Sequence, residues 1–165
     1  MIDLKEIKNK ITTKNNLYCL IVIFIIFFLD RYAKLFILNN FTDNTYYIND
    51  YINLDLVWNR GIGFGLLASD SSMIYNFITF LIGAVILALF YIAINSKTLD
   101  KLIFSIIIGG AVGNFYDRVV FKAVPDFIDL HYNNFHWFIF NIADIFISLG
   151  VIILITIEFF GRKKI

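Results

Sequence analysis

Residues 102–120 read LIFSIIIGGAVGNFYDRVV, and this stretch decides the fold class. It has the length at which a helix crosses a bilayer with every backbone polar group satisfied internally. Its second half nevertheless carries Asn114, Asp117 and Arg118, and charged groups cost a few kcal/mol in hydrocarbon. Those side chains therefore have to face a protein interior. Gly109 and Gly113 are four apart, a small-xxx-small pair that lets a neighbouring backbone come close. The stretch is a membrane helix built to pack inside a bundle.

Three further stretches of the right length surround it, at residues 17–38, 74–94 and 137–160. Of 165 residues, 59% are hydrophobic and 19 are phenylalanine, and the mean hydropathy of +0.76 excludes an ordinary water-soluble domain. The expected fold is an all-α membrane protein, a four-transmembrane-helix bundle in one domain over 1–165, with a small extracytoplasmic strand and loop element. Lys5, Lys8, Lys10 and Lys14 precede the first span. Lys97 and Lys101 lie between the second and third, and Arg162, Lys163 and Lys164 follow the fourth. The positive-inside bias then puts both termini in the cytoplasm. The other two connections hold only Arg60 and Lys122 beside six aspartates and belong outside. The N-terminal apolar run is too long for a signal peptide and contains Asp30 and Lys34, so it reads as a retained helix. The net charge of +1 is a matter of membrane orientation, and no nucleic-acid partner is expected. A single cysteine, Cys19, excludes an intrachain disulfide and a thiolate metal cluster.

Residues 51–59 alternate in the period-2 pattern of a half-buried strand and run into Gly61-Ile62-Gly63-Phe64-Gly65, a loop suited to close backbone approach. Asp30 and Lys34 share a face of the first span and can neutralise each other. Asn114 and Asp117 share a face of the third, and Asn141 and Asp144 a face of the fourth. At about 1.5 Å per residue, Asp30 lies about 20 Å from the inner end, Asp117 about 22 Å along its span, and Asp144 about 10 Å below the outer surface. Three helices thus bring carboxylates to one level. Asp126 follows Pro125, the only proline, which fixes the backbone beside it and lets an extended segment fold back toward Asp144. Two carboxylates in a small, partly dry site cannot both ionise easily, so one keeps a proton. That is the arrangement of an aspartic peptidase.

Five segments in order resemble the lipoprotein signal peptidases (signal peptidase II) across essentially the whole chain. They are Asp30-Arg31-Tyr32-Ala33-Lys34, the Asn59-to-Gly65 loop, the Gly-rich run at 109–118, Val124-Pro125-Asp126-Phe127 and Phe140-Asn141-Ile142-Ala143-Asp144. The resemblance implies Asp126 and Asp144 as catalytic dyad. It implies Asn114, Arg118 and Asn141 as groups shaping the site, and Asn59, Gly61 and Phe64 near the substrate. Asp117 competes for the place of the first catalytic carboxylate, but Arg118 beside it points to an ion-paired supporting role, as Lys34 does for Asp30. The resemblance further implies cleavage before a diacylglyceryl-modified cysteine of a prolipoprotein on the outer face of the bacterial inner membrane, without metal or cofactor. Membrane lipids surround a protein expected to be a monomer. The sequence departs from the family at Arg31 and Ala33, where polar residues are usual, and at Pro125, usually aliphatic. Arg31 adds a charge near the site, with contact to lipid headgroups also expected.

Other classes use the same residue types. A small transporter would route protons through the buried carboxylates, although no inverted repeat is evident. A non-catalytic assembly protein would use the polar faces for packing alone. His131 and His136 raise a metalloprotease in principle, but without a His-Glu-x-x-His helix they read as interfacial histidines beside Trp137.

Overall fold

The computed structural model describes residues 12–41, 45–61 and 72–161. Phe64 and the lysines and arginine before 12 and after 161 lie outside the described residues.

Helix α1 runs Lys14–Asn40, α2 Ser72–Asn95, α3 Thr98–Phe121 and α4 Ile142–Thr156, the last continuing into a π-helical turn Ile157–Gly161. Among the described residues, three helices are long and apolar enough to cross a membrane: Met73–Asn95, Thr98–Phe121 and Ile142–Phe160. The chain is a multi-pass membrane protein. Helix α1 has 27 residues and starts at Thr13, whose hydroxyl accepts the Asn16 N–H at 3.2 Å. It is less apolar because it carries Asp30, Arg31 and Lys34, all buried.

Helix α3 is the hub and packs on the other three. Its small residues decide how closely. A Cβ on Gly113 would stand 2.7 Å from Asp30 Oδ2 and one on Gly109 2.9 Å from Ile26 Cβ, so this pair faces α1. A Cβ on Gly110 would stand 2.6 Å from the Ala143 carbonyl, so the next residue round the helix admits the start of α4. Both approaches bring polar groups of the neighbouring helices inward. Phe28, Phe77, Phe80, Ile152 and Phe160 remain exposed, as a lipid-facing surface requires.

At the end of the bundle opposite Lys101 lies an antiparallel sheet, β1 Tyr46–Asn49, β2 Ile52–Asn59, β3 Val124–Tyr132 and β4 Phe135–Phe140, in that spatial order. The alternating segment is β2. Chain reversal between α3 and β3 is made by Lys122 in the left-handed region, φ 58°. A two-residue turn with Asn133 at φ 52° joins β3 to β4. Exposed Tyr47, Tyr51, Tyr132, Trp137 and Phe138 give the sheet the aromatic surface of a membrane interface.

The fourth span is corrected by this sheet. Trp137 lies in strand β4, and the helix begins only at Ile142. Hydropathy counts Phe135–Phe140 as apolar chain and cannot separate an interfacial strand from a helix. Asp144 accordingly sits in the first turn of α4 and not two turns below the surface.

Candidate active site

Asp126 enters from the sheet. It lies on β3 opposite Val57 of β2, and it is 2% exposed. Asp144 enters from the bundle as the third residue of α4. Asn141 joins them. It caps α4 by accepting the Asp144 N–H at 3.0 Å, while its own backbone N–H donates to Asp144 Oδ2 at 3.2 Å, a reciprocal capping box. The other end of its amide, Nδ2, donates to Asp126 Oδ1 at 2.5 Å. The residue that starts the helix therefore also bridges the two carboxylates.

Each carboxylate receives a second amide. Asn59 Nδ2 donates to Asp126 Oδ2 at 2.9 Å, and Asn114 Nδ2 donates to Asp144 Oδ1 at 2.8 Å. Arg118 does not reach either by hydrogen bond. Its guanidinium donates to the Gly61 carbonyl at 2.8 Å and to the Asn114 carbonyl at 3.1 Å, and the Gly61 N–H donates to Asn59 Oδ1 at 2.7 Å. Arg118 thus holds the strand-to-loop corner that presents Asn59.

Behind this site lies a second cluster, fully buried. Lys34 Nζ donates to Asp30 Oδ2 at 2.8 Å, Asn114 Oδ1 at 2.8 Å and Asp117 Oδ2 at 2.7 Å, which uses all three of its donors. Arg31 Nη2 stands 2.7 Å from Asp117 Oδ1, with its guanidinium 5.1 Å from the Tyr116 ring centre. Asp30 Oδ1 accepts the Ala143 N–H at 3.0 Å, one of the orphan donors at the start of α4. Two expectations are corrected here. Asp117 pairs with Lys34 and Arg31 and not with Arg118, because neighbours in a helix point about 100° apart. Arg31 is buried in the bundle and not directed at headgroups.

Asp126, Asp144, Asn59, Asn114 and Arg118 line one cavity of about 490 Å³. From there it continues between α2, α3 and α4 along Val85, Leu89, Phe104, Ile147 and Leu154, an apolar trough with a polar head. The Asp126 carboxyl is raised to about 6, first by burial and then by the charge of Asp144, against the opposing amide bonds of Asn59 and Asn141. A carboxyl in this state holds a proton near neutrality more readily than a solvated one.

The structure brings Asn59, Gly61, Asn114, Arg118, Asp126, Asn141 and Asp144 together, with Asp30, Lys34 and Asp117 directly behind. The Ala143 N–H was not anticipated, and Arg31, expected as an added charge near the site, was not expected to pair with Asp117; its position within one turn of Lys34 was the available signal. His136 lies apart on the hairpin, with Nδ1 2.7 Å from Asp129 Oδ2 and its ring 5.4 Å from that of His131. Among the described residues no three His, Cys, Asp or Glu side chains stand where they could hold a metal ion.

Residues 22–160 match a family model described as Signal peptidase (SPase) II. A lipoprotein signal peptidase of Pelagibacter ubique (strain HTCC1062) is 50% identical over 160 residues, covering 94% of this chain and 96% of that one. One from Anaplasma phagocytophilum (strain HZ) is 37% identical over 151 residues, 88% and 94% of the two chains. A solved structure described as a bacterial membrane enzyme, determined by the in meso method at 2.3 Å, superimposes with TM-score 0.75 at 25% identity, over 90% of this chain and 93% of that one.

Proposed function

Since the chain belongs to the signal peptidase II family, we propose that it removes signal peptides from diacylglyceryl-modified prolipoproteins, cutting before the lipidated cysteine, with Asp126 and Asp144 as an aspartic dyad. The observation that carries the dyad is the pair itself: two carboxylates on different elements, Asp126 buried and Asp144 partly buried, bridged by the side-chain and backbone N–H groups of one residue, Asn141, and facing one cavity. The ionised member takes a proton from water, whose oxygen bonds to the scissile carbonyl carbon. The protonated member donates to the carbonyl oxygen. Collapse breaks the C–N bond, and a proton passes to the departing cysteine amine. The two carboxyls titrate together, so one proton shared between them defines the active form.

The apolar trough below the dyad fits the apolar stretch of a signal peptide lying alongside α2, α3 and α4. Asn59 stands at its head, on the side of the sheet, held there by the Gly61 N–H. Helix α1 is the fourth span, its charges hidden by α3. The lysines and arginines flanking the spans set both termini in the cytoplasm of a bacterial cell, so the dyad opens toward the extracytoplasmic side of the inner membrane. The protein acts as one domain and a monomer among membrane lipids.

Replacing Asp126 or Asp144 by Asn and following a lipidated precursor in membranes tests the assignment. Precursor accumulates with either variant. Normal processing by either one refutes the dyad, and an active Asp126→Asn beside an inactive Asp117→Asn exchanges their roles.

A further inference from the structure

The three amides around the dyad share one property. Each has its oxygen engaged by a group that can only donate: Lys34 Nζ for Asn114, the Gly61 N–H for Asn59 and the Asp144 N–H for Asn141. An ammonium or a peptide N–H cannot accept, so the atom facing it has to be oxygen. The NH₂ end is thereby turned to the carboxylates by chemistry alone. Two of the three pins are backbone groups of the fold. The third is a side chain, Lys34, which reaches Asn114 across two helices and is itself held by Asp30 and Asp117.

We propose that Lys34 is a positioning residue for the proposed peptidase reaction: by donating to Asn114 Oδ1 it locks the Asn114 amide with Nδ2 toward Asp144. The inference rests on the dyad reading above. Without the pin the amide is free to present its oxygen to Asp144, and two acceptors then face each other. With all three NH₂ ends turned to the carboxylates, no amide oxygen is offered as an acceptor to the proton of the dyad, so its hydrogen bond is directed within the pair.

The test is a double-mutant cycle on the full-length protein in membranes, with kcat and KM measured separately on a lipidated precursor. Asn114→Leu and Lys34→Met each lower kcat by about tenfold or more, with KM within about twofold, the size expected for one misplaced hydrogen bond at a reacting group. The double variant is no slower than the worse single one, because both remove the same bond. Multiplying losses would overturn the proposal, as would an unchanged kcat in Lys34→Met. Lys34→Met alone leaves Asp30 and Asp117 with one cation and is open to misfolding. The charge-balanced pair Lys34→Met with Asp117→Asn, compared with Asp117→Asn alone, gives the same answer: a further fall in kcat of about tenfold supports the pin, and equal kcat refutes it. Asn114→Asp adds a readout that packing alone would not move. Its second oxygen sets a negative charge beside Asp144, so the fall of activity with rising pH shifts to higher pH, and an unmoved profile counts against the proposal. If the dyad variants remain active, the dyad reading fails; if they are dead while the cycle is additive, only the role of Lys34 falls.

Discussion

Two pairs of aspartates, three of the four buried and Asp144 partly so, sit side by side at one end of this bundle and are treated in opposite ways. Asp30 and Asp117 face two cations, Lys34 and Arg31, at 2.7 and 2.8 Å, and the cluster is neutral. Asp126 and Asp144 face only neutral donors, the amides of Asn59, Asn114 and Asn141 and one backbone N–H. Among the described residues no Lys or Arg hydrogen-bonds either of them. Cations fix a carboxylate as an anion, whereas amides hold its position and leave its charge free to change. Partner type, more than burial, separates the cation-bound pair from the proposed dyad here.

The comparison predicts opposite phenotypes. The largest effect is on turnover: Asp126→Asn or Asp144→Asn lowers the cleavage rate by about a thousandfold or more, as loss of an essential acid-base group does, while the thermal midpoint holds or rises because two carboxylates no longer repel. A matching fall in midpoint would erase the distinction. Next, Asp30→Ala leaves Lys34 short of an anion and the Ala143 N–H unpaired. A stability loss of about 3–5 kcal/mol follows, read by denaturant or thermal unfolding in detergent. An unaffected midpoint would show that the cluster is not the scaffold. Smaller is Gly113→Val, whose side chain collides with Asp30, at a cost of about 1–3 kcal/mol. The same substitution at Phe80, on the lipid face, is the control. The smallest concerns pH. With its carboxyl raised to about 6, Asp126 keeps its proton below that value and loses it above, so kcat/KM falls as pH rises through this region. The sign for stability agrees: the folded state holds the proton more tightly than the unfolded chain, so raising the pH from about 4 to about 6 weakens the fold slightly. A flat kcat/KM across this range would mean that the proton does not reside on the pair.

Much of this was legible in sequence, and the misses have physical causes. The polar faces of the third and fourth helices were readable because Asn114 and Asp117, and Asn141 and Asp144, are three apart, the spacing of a shared helix face. The partner of Asp117 was misassigned to its chain neighbour Arg118, although adjacent helical residues diverge; Arg31 and Lys34, on another helix, have no sequence proximity to reveal them. The start of the fourth helix was set at Trp137 by hydropathy alone. Asn141 with Asp144 three residues later is a capping signal that marks the true start. The extended segment at Asp126 was expected, but its pairing with β2 and β4 was not, and β4 was missed because five of its six residues, Phe135 and Trp137–Phe140, are apolar and run on into the apolar helix. The Asn133-Asn134 turn was the one local clue.

The double duty of Asn141 has a consequence for the order in which the molecule comes into being. Asp144 belongs to α4, which with its π-helical continuation follows every other described element in the chain, and the Asn141 amide linking it to Asp126 is also the group that begins that helix. Three of the described helices and all four described strands precede it in the chain, yet they contain only one half of the pair. The proposed dyad is therefore complete only once α4 has nucleated on Asn141.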